Sequence, residues 1–224
     1  MAGDVAANRI RLGILALPVA GAMELATTVL VWREDTRADR DWAELVVSTR
    51  YEAAQSIDLL STVLYFFGIF ALYACVVGTR GERWALGGLI SLVFYMVSWV
   101  VITGADASVD PFVGRQYLEG REDAFAIYES RGYTGAWSDT VLFAYDWGQY
   151  AGFLLFGIGI WRSGWLPQGA VILGIACAVL TPVAWAVSSG LGFLGPLLIV
   201  IAEVWVAWAA WVQLSPTKVR PRVR

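Results

Sequence analysis

The 224-residue chain contains no histidine and only two cysteines, Cys75 and Cys177, which lie in separate apolar runs. Histidine is the commonest zinc and haem ligand and the usual general base, so its absence argues against such a metal centre and against histidine-based catalysis. Two isolated cysteines form neither a thiol redox pair nor a metal-cluster motif. The sequence therefore predicts no metal site and no cofactor.

Charged residues are also scarce, at 16% of the chain, whereas soluble domains average about 25%. The basic residues mostly flank apolar segments and form no patch of the kind that binds nucleic acid. Hydrophobic residues make up 58% of the chain, and twelve tryptophans are present. This composition predicts a membrane protein surrounded by lipid, without a nucleic-acid partner.

Apolar segments of roughly twenty residues, the length that crosses a bilayer, recur along the chain. The predicted spans are Leu12–Trp32, Ser56–Val77, Leu86–Thr103, Thr140–Trp161, Gly169–Ser188 and Pro196–Val212. The first is too long for a signal peptide, and no small-residue cleavage site closes it. We predict an all-α polytopic membrane protein with a six-helix transmembrane bundle at residues 1–214 and a basic tail at 215–224.

Positive charges in the short connections indicate how the chain is oriented. They fall on one side of the predicted spans, and they are Arg9, Arg11, Arg80, Arg83, Arg162, Lys218, Arg220, Arg222 and Arg224. Cytoplasmic loops carry an excess of Lys and Arg. We therefore expect a multi-pass protein of the plasma (inner) membrane with both termini in the cytoplasm.

The two long connections, Arg33–Gln55 and Gly104–Asp139, fall on the outer side in this topology. ADRDWAELVVSTRYEAAQ places Trp42, Leu45 and Val46 at helical spacing after an Asp-rich start, which predicts a short interfacial helix. GREDAFAIYESRGY predicts a second one in the other connection. Such helices form either a cap that shields the bundle or a lid over an outward-facing cavity.

Acidic residues within the spans are the most informative feature. Glu24, Asp146 and Glu203 lie on three different spans at about 9–12 Å below the outer boundary, counting 1.5 Å per residue, and Asp58 lies nearer the outer rim. A carboxylate inside a span costs roughly 2.5–3.5 kcal/mol on insertion scales, so it usually has a function. We predict that the three carboxyl groups surround one cavity.

Polar, small and aromatic residues share helix faces with these acids at i, i+3 and i+4 spacing. The residues that we expect to bind a ligand beside the acids are Asp58, Tyr65, Tyr95, Trp99, Trp147, Gln149, Tyr150 and Trp185. Trp205, Trp208 and Trp211 lie away from Glu203 and are expected to face lipid or the interface. The alternative is that each acid only hydrogen-bonds a neighbouring helix and stabilises packing.

No Lys or Arg occurs inside a predicted span, so the acids need another partner. A pocket of carboxylates and aromatic rings suits a lipophilic or cationic small molecule, and this is the function we favour. An enzyme that uses Glu24, Asp146 or Glu203 as general acid on an isoprenoid-like substrate is the first alternative. A proton- or cation-coupled carrier is the second, for which a homodimer would compensate for the small size and the missing inverted repeats.

LLFGIGIWRSGWLPQGAVILGI resembles a widespread bacterial family of six-span membrane proteins of unknown function, most closely over Leu154–Ile175. The resemblance implies the six-span architecture and no activity. Intramembrane acids among aromatic residues are also similar in style to the small membrane-bound terpene cyclases. That second resemblance implies an intramembrane general acid but aligns no motif residue by residue.

Overall fold

The computed structural model describes residues 2–31, 39–121, 123–124, 126, 136–169, 171–172, 175–176 and 194–214, and these contain helices and turns but no strand. Six helices have defined bounds: α1 Ala2–Val31, α2 Asp39–Val46, α3 Thr49–Val76, α4 Glu82–Leu118, α5 Ala136–Ser163 and α6 Leu194–Gln213. The prediction of an all-helical chain is confirmed for this part of the sequence.

Four of the helices are long and apolar enough to cross a membrane, which is consistent with a membrane protein. They comprise Ala7–Val31 of α1, Thr49–Val76, Glu82–Leu118 and Pro196–Gln213 of α6. The 28-residue helix α5 is not among them, because Asp146, Gln149 and several tyrosines and glycines lower its hydropathy. Most of the predicted fifth span, Gly169–Ser188, and the tail at 215–224 lie outside the described residues. The count of six spans therefore stays a prediction.

The long helices run antiparallel to their neighbours. Arg50 at the start of α3 donates a hydrogen bond to the Val29 carbonyl near the end of α1, at 3.0 Å. At the opposite end, Arg11 of α1 donates to the carbonyl of Leu214, which follows α6. We call the first end, where α2 also lies, the cap end, and the second, where residues 77–81 join α3 to α4, the turn end.

Glycines allow the helices to approach closely. A Cβ added to Gly13 of α1 would stand 2.6 Å from the Cβ of Ala71 on α3. Between α4 and α5, a Cβ on Gly152 would stand 2.8 Å from Leu92 Cδ2, and one on Gly148 would stand 2.9 Å from the carbonyl oxygen of Ser91. Small residues at such contacts are typical of helix association in membranes. These contacts fix the pairs α1–α3 and α4–α5.

Helix α4 is longer than the sequence predicted. The predicted span ended at Thr103, and the segment from Gly104 was expected to be an outer connection, but α4 continues to Leu118. The added turns pack against α2, since a Cβ on Gly114 would stand only 2.5 Å from Val46 Cγ2. The sequence did not reveal this helix because the segment is polar and contains Pro111, whereas its partner α2 lies far away in the chain.

Two features of the first outer connection are now defined. The helix predicted around Trp42, Leu45 and Val46 is α2, and both Leu45 and Val46 are buried. Helix α3 begins at Thr49 rather than at Ser56, because Ser48 caps it by accepting a hydrogen bond from the Tyr51 amide. Most of the second predicted interfacial helix, residues 120–133, lies outside the described residues.

The outward-facing surface of the bundle is apolar. Phe67 and Phe94 are each 60% exposed, and Trp208 is 63% exposed. Trp205 and Trp211 are exposed as well, so these three tryptophans lie on the outside of α6, as expected. Such a surface is typical of contact with lipid.

Candidate functional site

A cavity of about 890 Å³ lies within the bundle and is bordered by every long helix. It extends from Val31, Tyr51 and Asp106 near the cap end to Ile160 near the turn end. Its volume lies within the range of about 300–1,000 Å³ that is usual for small-molecule sites. No Lys or Arg occurs among the described residues that line it.

All four predicted acids border this cavity: Glu24, Asp58, Asp146 and Glu203. Glu24 lies within electrostatic range of both Asp58 and Glu203, so these three carboxyl groups form one cluster. Asp146 is different, because it is exposed and lies at the margin of the cavity. We call Glu24, Asp58 and Glu203 the acid cluster.

Glu203 has the least usual environment of the three. Only 6% of the residue is exposed, and both carboxyl oxygens are buried without a hydrogen-bond partner among the described residues. The Tyr65 hydroxyl faces this carboxyl group but falls outside hydrogen-bond geometry. On the other side the carboxyl group lies against Gly21 of α1, in the space that a Cβ would fill. Glu203 is therefore a cavity-lining residue whose carboxyl group is buried between α6 and α1 without a hydrogen-bond partner among the described residues.

Asp58 is equally buried, at 7% exposure, but its carboxyl group accepts two hydrogen bonds. Its Oδ2 atom accepts hydrogen bonds from Trp99 Nε1 at 2.9 Å and from Thr103 Oγ1 at 3.2 Å. Both donors belong to α4, so Asp58 joins α3 to α4. For this residue the structure matches the alternative that an intramembrane acid stabilises packing.

Aromatic rings form a continuous wall along one side of the cavity. Trp99 stacks on Tyr145 with 5.4 Å between ring centroids, and Tyr145 lies 5.2 Å from Tyr95. Tyr95 meets Phe153 edge-on at 6.2 Å, and Phe153 meets Tyr65 in the same way at 6.4 Å. We call these five residues the ring wall. The faces of such rings attract cations.

The remaining predicted ligand-binding residues divide into three groups. Gln149 and Tyr150 border the cavity, as expected. Trp147 does not; it is 62% exposed and lies on the outside of α5 against Phe143, which corrects its predicted place. Successive residues of a helix are rotated by about 100° around its axis, so Trp147, which follows Asp146, points away from the cavity. Trp185 lies outside the described residues.

Tyr145 and Phe153 belong to the site although neither was predicted as a ligand-binding residue. Tyr145, Gln149, Phe153 and Phe156 follow one another at spacings of four, four and three residues, which places them on one face of α5. The predicted face of this helix, with Asp146, Gln149, Tyr150 and Phe153, borders the cavity but omitted Tyr145. The spacing of four residues from Tyr145 to Gln149 could have added Tyr145 to that face.

A second buried polar contact lies at the cap end. The Tyr51 hydroxyl donates a 2.6 Å hydrogen bond to Asp110 Oδ2, and both residues are buried. The pair joins the start of α3 to the extension of α4, beside the cavity-lining residues Gln55 and Asp106. It therefore holds α3 and α4 together where they border the cap end of the cavity.

The lining changes character along the cavity. The part nearest the cap end contains the described acids, amides and hydroxyl groups of the lining. Beyond Tyr65 and Tyr150 the described side chains are entirely apolar. This apolar half is lined by Leu17, Ile69, Leu72, Leu92, Phe156, Ile160, Leu166, Val171, Ile175 and Val206.

Comparison with protein-family models, curated proteins and solved structures finds no match to this chain. The resemblance to the six-span family therefore stays a prediction. The function has to be inferred from the cavity itself.

Proposed function

We propose that this chain is an integral membrane protein that holds a lipophilic cation in a cavity formed by its six spans. In this proposal the cap end faces away from the cytoplasm, both termini are cytoplasmic, and the cavity opens towards the cap end. The single observation that carries the proposal is the Glu203 carboxyl group, which is buried beside Glu24 and has no hydrogen-bond partner among the described residues.

Electrostatics supports a cation as the ligand. An ionised carboxylate that is buried without a partner costs several kcal/mol, so such a group either stays protonated or needs a positive partner. The described lining supplies five acids, Glu24, Asp58, Asp106, Asp146 and Glu203, and no basic residue. The ring wall adds a surface on which a positive organic group is stabilised by about 0.5–2 kcal/mol per favourable contact.

Native mass spectrometry with organic extraction tests the proposal on the protein purified in lipid nanodiscs. We expect a positively charged small molecule on the wild-type protein, and we expect it to be lost from Glu203→Gln. The amide keeps the size of the side chain and removes the charge. Glu119→Gln is the matched control, because Glu119 is exposed at the far end of α4.

A wild-type protein that stays empty even after incubation with alkyltrimethylammonium ions would overturn the proposal. Equal retention of the cation by the wild type and by Glu203→Gln would also overturn it. Circular dichroism and thermal unfolding of each variant show whether a lost ligand reflects a lost fold.

An intramembrane cyclase is a second candidate, favoured by the ring wall beside the acid cluster. In that scheme Glu24, Asp146 or Glu203 would protonate an alkene, and aromatic faces would stabilise the carbocation that forms. The same extraction distinguishes the two, since a cyclase would release a neutral cyclic isomer of an added isoprenoid. A carrier of protons or cations stays a prediction that flux assays in liposomes would test.

A further inference from the structure

The cavity has two chemically different ends, and this difference restricts which cations fit. The acid cluster and the ring wall lie towards the cap end, whereas the apolar half continues from Tyr65 and Tyr150 towards the turn end. A small hydrated cation would leave the apolar half without a partner. A molecule with one charged end and one hydrocarbon end would match both parts.

The depth of the apolar half can be counted on two helices. Seven residues separate Tyr65 from Leu72 on α3, and ten separate Tyr150 from Ile160 on α5. At 1.5 Å per residue these distances are about 10 Å and about 15 Å. Leu72, Ile160, Leu166 and Val171 are all buried, so protein surrounds the deep end of this compartment. An extended alkyl chain of that length has on the order of eight to twelve carbons.

We propose that the ligand is a single-chain aliphatic cation, with an amine or quaternary ammonium head beside Glu24 and Glu203 and its hydrocarbon chain in the apolar half. This inference rests on the proposed function and adds the ligand class, its orientation and an upper limit on chain length. The head faces the ring wall, and the chain points towards the turn end. Chains much longer than the compartment cannot enter without pulling the head away from the acids.

A series of alkyltrimethylammonium ions with four to sixteen carbons tests the limit. Binding to the wild-type protein in nanodiscs is measured by thermal shift and native mass spectrometry, and each ligand concentration is corrected for partitioning into empty nanodiscs. After this correction for partitioning, we expect the affinity for the protein to be nearly the same for all chains up to about ten carbons. Binding should fall at least about tenfold by sixteen carbons, which corresponds to about 1.4 kcal/mol.

Variants at Leu72 show whether the apolar half sets this limit. Leu72→Phe fills the deep end, so we expect the drop to move to chains that are shorter by roughly two or three carbons. Leu60→Phe is the matched control on the same helix, because Leu60 is 54% exposed whereas Leu72 is 5% exposed. If Leu72→Phe fails to fold, Leu72→Ala enlarges the compartment and should shift the drop to longer chains, with Leu60→Ala as its control.

The outcomes separate this inference from the proposed function. Charge-dependent binding that falls off in Glu203→Gln but shows no chain-length limit would overturn the inference and leave the proposed function standing. A limit that is unchanged in both Leu72 variants would overturn it too. Binding of 1-octanol as strong as that of octyltrimethylammonium would show that charge is not recognised, and the proposed function would fail with it.

Discussion

The carboxyl group of Glu203 occupies the space beside α1 that a side chain at position 21 would need, because Gly21 has no Cβ. This contact sets how far the acid reaches into the bundle from α6. It also makes Gly21 a position where a small substitution should act on the site more than on the fold.

Gly21→Ala should displace the Glu203 carboxyl group and weaken cation binding by about tenfold while the free energy of unfolding changes by less than about 1 kcal/mol. The new methyl group meets the end of a flexible side chain, which can rotate, and alanine favours the helix by roughly 0.5–1 kcal/mol over glycine. Ligand titration and reversible unfolding of the same sample measure both effects.

Gly13→Ala is the control for that substitution, since it adds the same methyl group to the same helix. Its Cβ would stand 2.6 Å from the Cβ of Ala71, which cannot rotate away. Overpacking of this kind costs about 1–3 kcal/mol, so stability should fall while ligand affinity per folded protein is kept. The reverse pattern in the two variants would contradict the contact.

Asp58 and Glu203 should respond oppositely to removal of the carboxyl group. Asp58→Ala leaves Trp99 Nε1 and Thr103 Oγ1 without their acceptor, so we expect a loss of about 1–3 kcal/mol in stability. Asp58→Asn keeps an acceptor oxygen and should cost less. Glu203→Leu deprives no donor within hydrogen-bond geometry and removes a buried acid, so its stability should be unchanged or higher.

Unfolding of the ligand-free protein in mild detergent compares these variants. A large destabilisation by Glu203→Leu, similar to that of Asp58→Ala, would show that Glu203 is a packing residue. The proposed function would then lose its main support.

The two tryptophans Trp99 and Trp147 provide another contrast, because the prediction from sequence treated them alike. Trp99→Leu removes a ring of the wall and a donor to Asp58, so cation affinity should fall about tenfold or more. Trp147→Leu removes an exposed ring and should leave affinity within about twofold. Isothermal titration with octyltrimethylammonium measures both, and equal losses would contradict the placement of Trp147.

Tyr51 and Asp110 should be energetically coupled. Tyr51→Phe removes the donor of a 2.6 Å hydrogen bond to a buried carboxyl group, and we expect a loss of about 1.5–3 kcal/mol. In the double variant Tyr51→Phe/Asp110→Asn the two losses should be non-additive by about 0.5–3 kcal/mol. Simple additivity would show that the pair does not join α3 to α4 in solution.

Several elements of this protein follow from the sequence alone. The length and apolar content of the segments around Leu12, Ser56 and Pro196 determine helices that are long enough to cross a membrane. In lipid the backbone N–H and C=O groups of a single segment must hydrogen-bond to each other, and a helix achieves this. Counting residues from the span ends also placed Glu24 and Glu203 at one depth, since the rise of a helix is constant. Both acids do border one cavity.

The face of a helix that points into the bundle could be predicted only where several polar or aromatic residues share that face. On α5 the predicted face residues Asp146, Gln149 and Tyr150 do border the cavity, but Trp147 lies about 100° from Asp146 around the helix axis. The prediction added Trp147 because of its depth, although it is exposed, and omitted Tyr145, which borders the cavity. Local sequence does not determine this angle; the close contacts of Gly148 and Gly152 with α4 do.

Only the tertiary structure decided which acid accepts hydrogen bonds and which does not. Asp58 and Glu203 both carry carboxyl groups on apolar helices. The Asp58 carboxyl group accepts hydrogen bonds from two donors of α4, whereas that of Glu203 lies against Gly21 and has no hydrogen-bond partner among the described residues. The length of α4 was decided in the same way, because its polar turns beyond Thr103 pack against α2. The depth of a residue along a helix is a local property of the chain, whereas packing and hydrogen-bond partners are supplied by residues that are distant in sequence.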